Sequence, residues 1–400
     1  MKEKFHYLPD KIWIRIIAEF KIYKLFNLFI PFLRIDKKKV VFSNFRGRGF
    51  GDNPKYIAEE LHRNYPDMHL VWLESRLKGT GEFPSYIRVV NLNSFRSLYE
   101  LATAKFWVDN HRKNIFIKKR KGQYYIQLWH GALISKAIEK DTEDRLEVRY
   151  IAEAKRDSAN IDICVAGTRQ LHDIYQNSFW YNGKIIDVGS PRNDILFELD
   201  SKKIYALKNR IGYRNKKICL YAPTFRNNGD ATVYNLDYEK LKTTLEKSWG
   251  GDWALLVRLH PQMLHYKAVL NIPNFVLDVS AYPDSQELLS ISDCVITDYS
   301  SIIYDFALTN RPALIYAPDY EKYTTSDRRL YFSLCETPFP IAFTNDELTD
   351  NIQKFDLATY RERLESFNTR FGVFDRGTAS KAVCELIKKN IDNTKKEIIL

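Results

Sequence analysis

The feature that most narrows what this chain can fold into is a repeated alternation. Short apolar runs rich in Val, Ile and aromatic residues recur at 40–45, 70–73, 106–108, 124–128, 163–165 and 185–188. They continue at 218–221, 254–257, 275–277, 294–296 and 313–316, and most end at Gly, Pro, Asp or Ser. Runs of this kind read as parallel strands buried on both faces. Helical patterns fit between them, at 55–63, 238–247 and 285–291 for example. Repeated strand–helix alternation predicts an α/β fold with doubly wound sheets. Eleven strands are too many for one comfortable sheet, and 400 residues suit two cores. A division near 190–215 gives two Rossmann-type domains facing across a cleft, 36–195 and 196–390. The Lys- and Arg-dense stretch 201–215 is expected to be a helix or linker at the second domain's entry.

Residues 1–35 stand apart. The first 40 residues hold ten Lys and Arg against four Asp and Glu, more than half of the chain's net charge of +11. In a helix started near Lys11, Trp13, Ile16, Ile17 and Phe20 share one face, with Lys11, Arg15 and Glu19 opposite. Lys21 and Lys24 interrupt the apolar stretch that follows, and Pro31 ends it. A basic helix with Trp and Phe on its apolar side suits the surface of an anionic membrane. The plainer alternative is a helix packed on the protein's own core. The rest of the chain is near charge balance, so no nucleic-acid partner is expected. No secretory leader and no transmembrane run is read. The five cysteines (Cys164, Cys219, Cys294, Cys335, Cys384) are scattered, which argues against a zinc cage or a disulfide framework and suits a cytoplasmic setting.

In open α/β sheets ligands meet the carboxyl ends of strands, and five polar clusters fall at such ends. Trp129-His130-Gly131 places an imidazole where it can exchange a proton, with Lys136 following; a core histidine bonded to backbone is the alternative. Gly189-Ser190-Pro191-Arg192-Asn193-Asp194 forces a turn from which Arg192 can face the cleft, on the acceptor side with Lys136. Tyr221-Ala222-Pro223-Thr224-Phe225-Arg226 presents a hydroxyl and a guanidinium suited to phosphate oxygens. Arg258-Leu259-His260-Pro261 aims a cation and an imidazole the same way along an extended segment, a plausible pyrophosphate clamp. Thr297-Asp298-Tyr299-Ser300-Ser301 precedes an apolar helix, so its hydroxyls either meet an anion or simply cap that helix, and Asp298 is counted with Ser300 and Ser301 among the donor-binding residues. Asp305, one turn in, can reach a ribose or base edge or be solvated. Gly47-x-Gly49-x-Gly51 lacks dinucleotide-binding spacing and hints only at a loop that lets backbone approach a ligand. No Walker loop, no Asp-x-Asp pair in a metal-binding context and no His-Glu-x-x-His occurs. Arg226, Arg258 and Arg311 can neutralise a diphosphate instead, so neither a metal nor a cofactor is expected.

The ordered set resembles the CDP-glycerol glycerophosphotransferase family of teichoic acid and capsule polymer synthesis. The matching residues are Trp129-His130-Gly131, Gly189-x-Pro191-Arg192-Asn193-Asp194, Tyr221-Ala222-Pro223-Thr224-x-Arg226 and Arg258-x-His260-Pro261. The longest match runs from Ile291-Ser292-Asp293 through Ile296-Thr297-Asp298-Tyr299-Ser300-Ser301 to Asp305-Phe306 and Arg311-Pro312. The resemblance implies a GT-B-like fold and a CDP-glycerol or CDP-ribitol donor. It also implies a lipid-linked polymer acceptor and a peripheral place on the cytoplasmic face of the membrane. It further implies His130 as general base, with Arg258, His260, Ser300 and Ser301 around the donor diphosphate. Many members follow Gly131 with Thr-Pro-Leu-Lys; Ala132-Leu133-Ile134-Ser135-Lys136 stands here, closer to the shorter priming enzymes. Rival readings are a glycosyltransferase of the same architecture using a nucleotide-sugar, and a non-catalytic membrane scaffold.

Overall fold

The computed structural model describes residues 27–400 except 76–81, 114–117, 199, 227–231, 261–262, 264–271, 324–328 and 396. The expected membrane-facing residues Trp13, Ile16, Ile17, Phe20, Lys21 and Lys24 lie outside the described residues, as does Pro261. Among the described residues no helix is long and apolar enough to cross a membrane.

The described chain forms two all-parallel sheets. The first holds β1 (Asp36–Ser43), β2 (His69–Glu74), β3 (Arg88–Asn91), β4 (Ala104–Asp109), β5 (Tyr124–Gln127), β6 (Ile163–Ala166) and β7 (Lys184–Asp187), in the order 3-2-1-4-5-6-7. The second holds β8 (Lys217–Tyr221), β9 (Trp253–Val257), β10 (Leu277–Asp278), β11 (Cys294–Thr297), β12 (Ala313–Tyr316) and β13 (Ile341–Ala342), in the order 10-9-8-11-12-13. In both sheets the order reverses beside the first strand, between β1 and β4 and between β8 and β11. A crevice opens at such a reversal, outside the carboxyl ends of the strands.

The central strands are largely apolar because both of their faces are covered. Along β1, Val40 and Phe42 pack into one core with Trp72 and Phe106, while Val41 enters the other with Val71 and Trp107. This is the two-residue period of a strand acting on both sides at once. Each such side chain, fully buried, contributes about 1.5–3 kcal/mol. Two strands were not expected from sequence, β3 and β13. Both are edge strands, short and only partly buried, so they lack the continuous apolar run that marks a central strand.

The chain passes from the first sheet to the second through a short helix, Pro191–Leu196, and α-helix Ser201–Arg210, whose start is capped by Asp200. The expected second domain of 196–390 needs one correction. The last helix, Ala379–Lys389, does not stay with the second sheet. Its Val383, Cys384, Leu386 and Ile387 are buried in the first lobe's core beside Ile57 and Leu61 of helix Asp52–Asn64. Its N-terminus is tied to the crossing segment: the Asp194 carboxylate accepts from the backbone N–H groups of Ala379 (3.0 Å) and Ser380 (2.7 Å). The lobes also meet through Lys55, whose ammonium lies 2.6 Å from both Asp284 and Glu287, and through Tyr56, whose hydroxyl donates to Asp284 at 2.9 Å.

Candidate active site

Where the carboxyl ends of the two sheets face each other lies a cleft of about 630 Å³. Strand tips of both lobes supply its walls, so residues far apart in sequence converge there.

On the first lobe the chain leaves β5 through Trp129, whose backbone sits in the left-handed region at φ 51°. That conformation is costly for a bulky residue and needs support from its surroundings. The support is visible. Asn53 Nδ2 donates to the Trp129 carbonyl (3.0 Å), and Arg192 Nη1 donates to the His130 carbonyl (3.0 Å). The turn carries the His130 ring into the cleft wall. Its Nδ1 lies 2.8 Å from the Asn110 carbonyl oxygen. A carbonyl only accepts, so Nδ1 carries the proton and Nε2 keeps the lone pair. Desolvation by burial is the largest influence on this imidazole and holds its pKa below the ordinary value, against the Asn110 carbonyl. At neutral pH the ring is therefore a neutral base. The expected alternatives for His130, structural or catalytic, merge: one nitrogen serves the fold and leaves the other chemically open.

On the second lobe Thr224, Arg258, His260, Ser300 and Ser301 all line the cleft. Arg258 donates to the carbonyls of Tyr282 (2.6 Å) and Val279 (3.3 Å), and burial lowers its pKa to about 10. His260 is pushed down to about 4, first by burial and then by the cations Arg48 and Lys136. The Thr224 hydroxyl is buried at the cleft wall and has no hydrogen-bond partner among the described residues. Ser301 opens helix Ile302–Ala307 without capping it through its side chain, so its hydroxyl is left to the cleft.

Five expectations change. Arg226, expected to meet phosphate, is buried and does not line the cleft; its fork grips Asp319 at 2.6 and 2.9 Å and its Nη2 also meets Asp298 at 2.9 Å. Asp298, expected among the donor-binding residues, does not line the cleft either; besides Arg226 it accepts from the Thr224 N–H at 2.8 Å. The pair is a brace that holds the β8 tip against the β11 tip, and both its charges are already matched. Arg311 is spent on the carbonyls of Ser290, Ser292 and Leu289, away from the cleft. Asp305 lines the cleft but is neither solvated nor open to a ribose: it accepts from Asn193 (3.2 Å) and Gln286 (3.3 Å) and pairs with Arg192 at 2.6 Å. Arg192, expected on the acceptor side, does line the cleft, but its charge is already matched. It bridges Asp52 (2.8 Å) of the first lobe and Asp305 of the second while almost fully buried. Lys136 does line the cleft, 5.7 Å from the Tyr323 ring.

Sequence reasoning missed Arg48, Asp52 and Asn110. Asn110 is a hub: its carbonyl orients His130, its Nδ2 donates to Asn44 and Asp52 (both 2.9 Å), and its Oδ1 accepts from the Phe45 N–H (2.9 Å). The β4 tip it occupies was a strand end like the others, and that position was the available signal. Among the described residues no cluster of His, Cys, Asp or Glu is arranged to hold a metal ion.

Comparison with known proteins adds context to this geometry. The family model for CDP-glycerol:poly(glycerophosphate) glycerophosphotransferases matches residues 24–389. A teichoic acid poly(glycerol phosphate) polymerase of Bacillus spizizenii is 31% identical over 91% of this chain and 95% of its own length. A teichoic acid glycerol-phosphate transferase of Staphylococcus aureus is 31% identical over 94% and 99%. Against the poly(glycerol phosphate) polymerases of Staphylococcus epidermidis and Bacillus subtilis the chain spans about half of their length, 51% in each case. Among solved structures, a variant of the wall teichoic acid polymerase TagF soaked with CDPG superposes with a TM-score of 0.82 at 28% identity, covering 97% of this chain and 98% of that one.

Proposed function

Because this chain belongs to the CDP-glycerol:poly(glycerophosphate) glycerophosphotransferase family, we propose that it moves glycerol phosphate or ribitol phosphate from a CDP-alditol to a hydroxyl of a membrane-linked teichoic acid or capsule polymer, releasing CMP. The observation that carries this reading is a single cleft with a lone-pair imidazole nitrogen, at His130, on one wall. Two partly desolvated basic groups, Arg258 and His260, and the hydroxyls of Thr224, Ser300 and Ser301 stand on the other.

In the proposed reaction the His130 Nε2 takes the proton of the acceptor hydroxyl. The oxygen forms a bond to the distal phosphorus of the donor, and the bond from that phosphorus to the CMP oxygen breaks with its electron pair. Such transfer depends mainly on positioning and on charge stabilisation in a site that excludes water. Arg258, with its Nη1 fixed on two carbonyls, is pre-aimed and stabilises the departing CMP. His260, neutral at pH 7, offers a hydrogen bond rather than a charge.

Anchoring of residues 1–35 on the cytoplasmic face of the membrane belongs to the same proposal. In its support, Leu28, Phe29 and Phe32 stand exposed at the start of the described chain, Phe32 at 85%.

The test is CMP release from CDP-glycerol and CDP-ribitol with a lipid-linked acceptor. His130→Ala is expected to lower turnover by about 100-fold or more while the fold survives. Wild-type release by a folded variant refutes the role of His130. Release of a nucleoside diphosphate from a UDP- or GDP-sugar, with CDP-alditols inert, would favour a glycosyltransferase instead.

A further inference from the structure

We propose that Arg48, carried by the first lobe's glycine loop, is a direct contact to the distal phosphoryl group of the donor, so that the diphosphate is gripped from both lobes. This rests on the CDP-alditol reading above.

The loop between β1 and helix Asp52–Asn64 is built to hold one conformation. Phe45, Arg46, Gly47 and Gly49 all lie at positive φ. Asn44 Nδ2 donates to the carbonyls of Arg48 (3.0 Å) and Gly49 (3.3 Å), and the Arg48 N–H donates back to the Asn44 carbonyl (2.7 Å). The Ser75 N–H donates to the Gly47 carbonyl at 2.8 Å, an approach so close that a Cβ on Gly47 would lie 2.5 Å from that nitrogen. Asn44 is itself held by Asn110, the residue whose carbonyl orients His130. One hub thus sets both the base and the Arg48 loop.

Among the described residues nothing matches the guanidinium that this loop delivers. Arg192 and Arg226 are saturated by carboxylates, but Arg48 lines the cleft with no ion pair or side-chain hydrogen bond among the described residues. It is partly desolvated, which lowers its pKa, and its charge depresses both Arg258 and His260 on the facing lobe. Asp284 offsets Arg258 in part, but Arg48 converges on Arg258 and His260 with no ion pair of its own among the described residues, and that costs free energy in the empty protein. A diphosphate removes that cost, and a guanidinium fork matches two phosphate oxygens.

The level of the contact follows from the same placement. In the proposed reaction the attacking hydroxyl is held at His130 in the first lobe, and Arg258 and His260 stand in the second. The reacting phosphorus must sit between them. Arg48 comes from the first lobe yet is felt by Arg258 and His260 of the second, which puts it at that height. It exchanges no proton; it neutralises the non-bridging oxygens while one P–O bond forms and the other breaks.

The test compares CDP-glycerol, CDP and CMP as calorimetric probes of the full chain. Arg48→Ala should weaken CDP and CDP-glycerol by about 10–100-fold, the worth of a hydrogen-bonded charge. CMP, which lacks the distal phosphoryl, should keep its affinity, and Arg48→Lys should recover part of the loss. CMP binding doubles as the control for folding. A second readout is free of substrate: Arg48→Ala should raise the His260 pKa from about 4, followed by NMR. Equal losses for CDP and CMP, or no loss for CDP, overturns the assignment. Wild-type protein that binds no CDP-alditol at all refutes the donor reading instead, so the two failures are distinguishable.

Discussion

Replacing Arg192 with methionine keeps the bulk of the side chain and deletes its charge. The guanidinium sits between Asp52 at 2.8 Å and Asp305 at 2.6 Å, and also donates to the His130 carbonyl. Without it two buried carboxylates face each other with no cation between them. Removing one partner from a buried ion pair costs about 3–5 kcal/mol, chiefly because a charge is stranded. The remedy open to the variant is to protonate. Burial already holds the Asp305 pKa above its ordinary value, with Arg192 as the main opposing influence. Losing Arg192 raises it further, and each unit is worth about 1.4 kcal/mol. The penalty should therefore be larger at pH 8 than at pH 5, because a carboxyl whose pKa is raised lets the variant relieve the stranded charge as pH falls. Denaturant unfolding of wild type and Arg192→Met at both pH values measures this. A loss under about 1 kcal/mol at pH 8, or the same loss at both pH values, refutes the bridge as a charge-stabilised element. Turnover should also fall, because the Trp129–His130 turn loses one of its two tethers, while CDP affinity changes little.

Three further outcomes follow from the same structure. Burial pushes the Asp375 carboxyl up to about 7, and its Oδ2 has no partner among the described residues. Its folded-state pKa is raised, so it draws stability out as pH climbs from about 4, its unfolded value, to about 7; Asp375→Asn should flatten the decline of unfolding free energy across that window. Gly47→Ala places a Cβ 2.5 Å from the Ser75 nitrogen at φ +86°, and should cost about 1–3 kcal/mol and most of the activity; an unchanged melting temperature and turnover would contradict the loop's rigidity. The acid limb of the CMP-release profile should fall below pH 6.5, since His130 is held below that value, and a limb at or above it would mean the ring is not buried as described.

The strands that build the cleft were legible because burial on both faces writes itself as continuous Val, Ile and aromatic runs. β3 and β13 carry no such mark, being edge strands with one side open. Residue type at a strand tip also predicted where polar groups gather. It could not say which were already matched. Arg226 and Arg258 read alike in sequence, but the partner that retires Arg226, Asp319, lies 93 residues away. Arg48 was passed over for the opposite reason. The glycines flanking it drew notice as backbone, and only the folded loop reveals them as the mounting for a side chain. The last helix shows an amphipathic pattern, yet nothing local tells which lobe its apolar face will cover.

That final helix has a bearing on how the molecule comes into being. Val383, Ile387, Ile391 and Ile398 complete an interior whose other members were made more than 200 residues earlier, from Val40 to Val165. During synthesis the first lobe leaves the ribosome with that side bare, and it stays bare until residues 383–398 emerge. A fragment cut at the crossing between the lobes would keep the same open seam, so the first half should be insoluble alone and rescued by the missing helix supplied as a peptide.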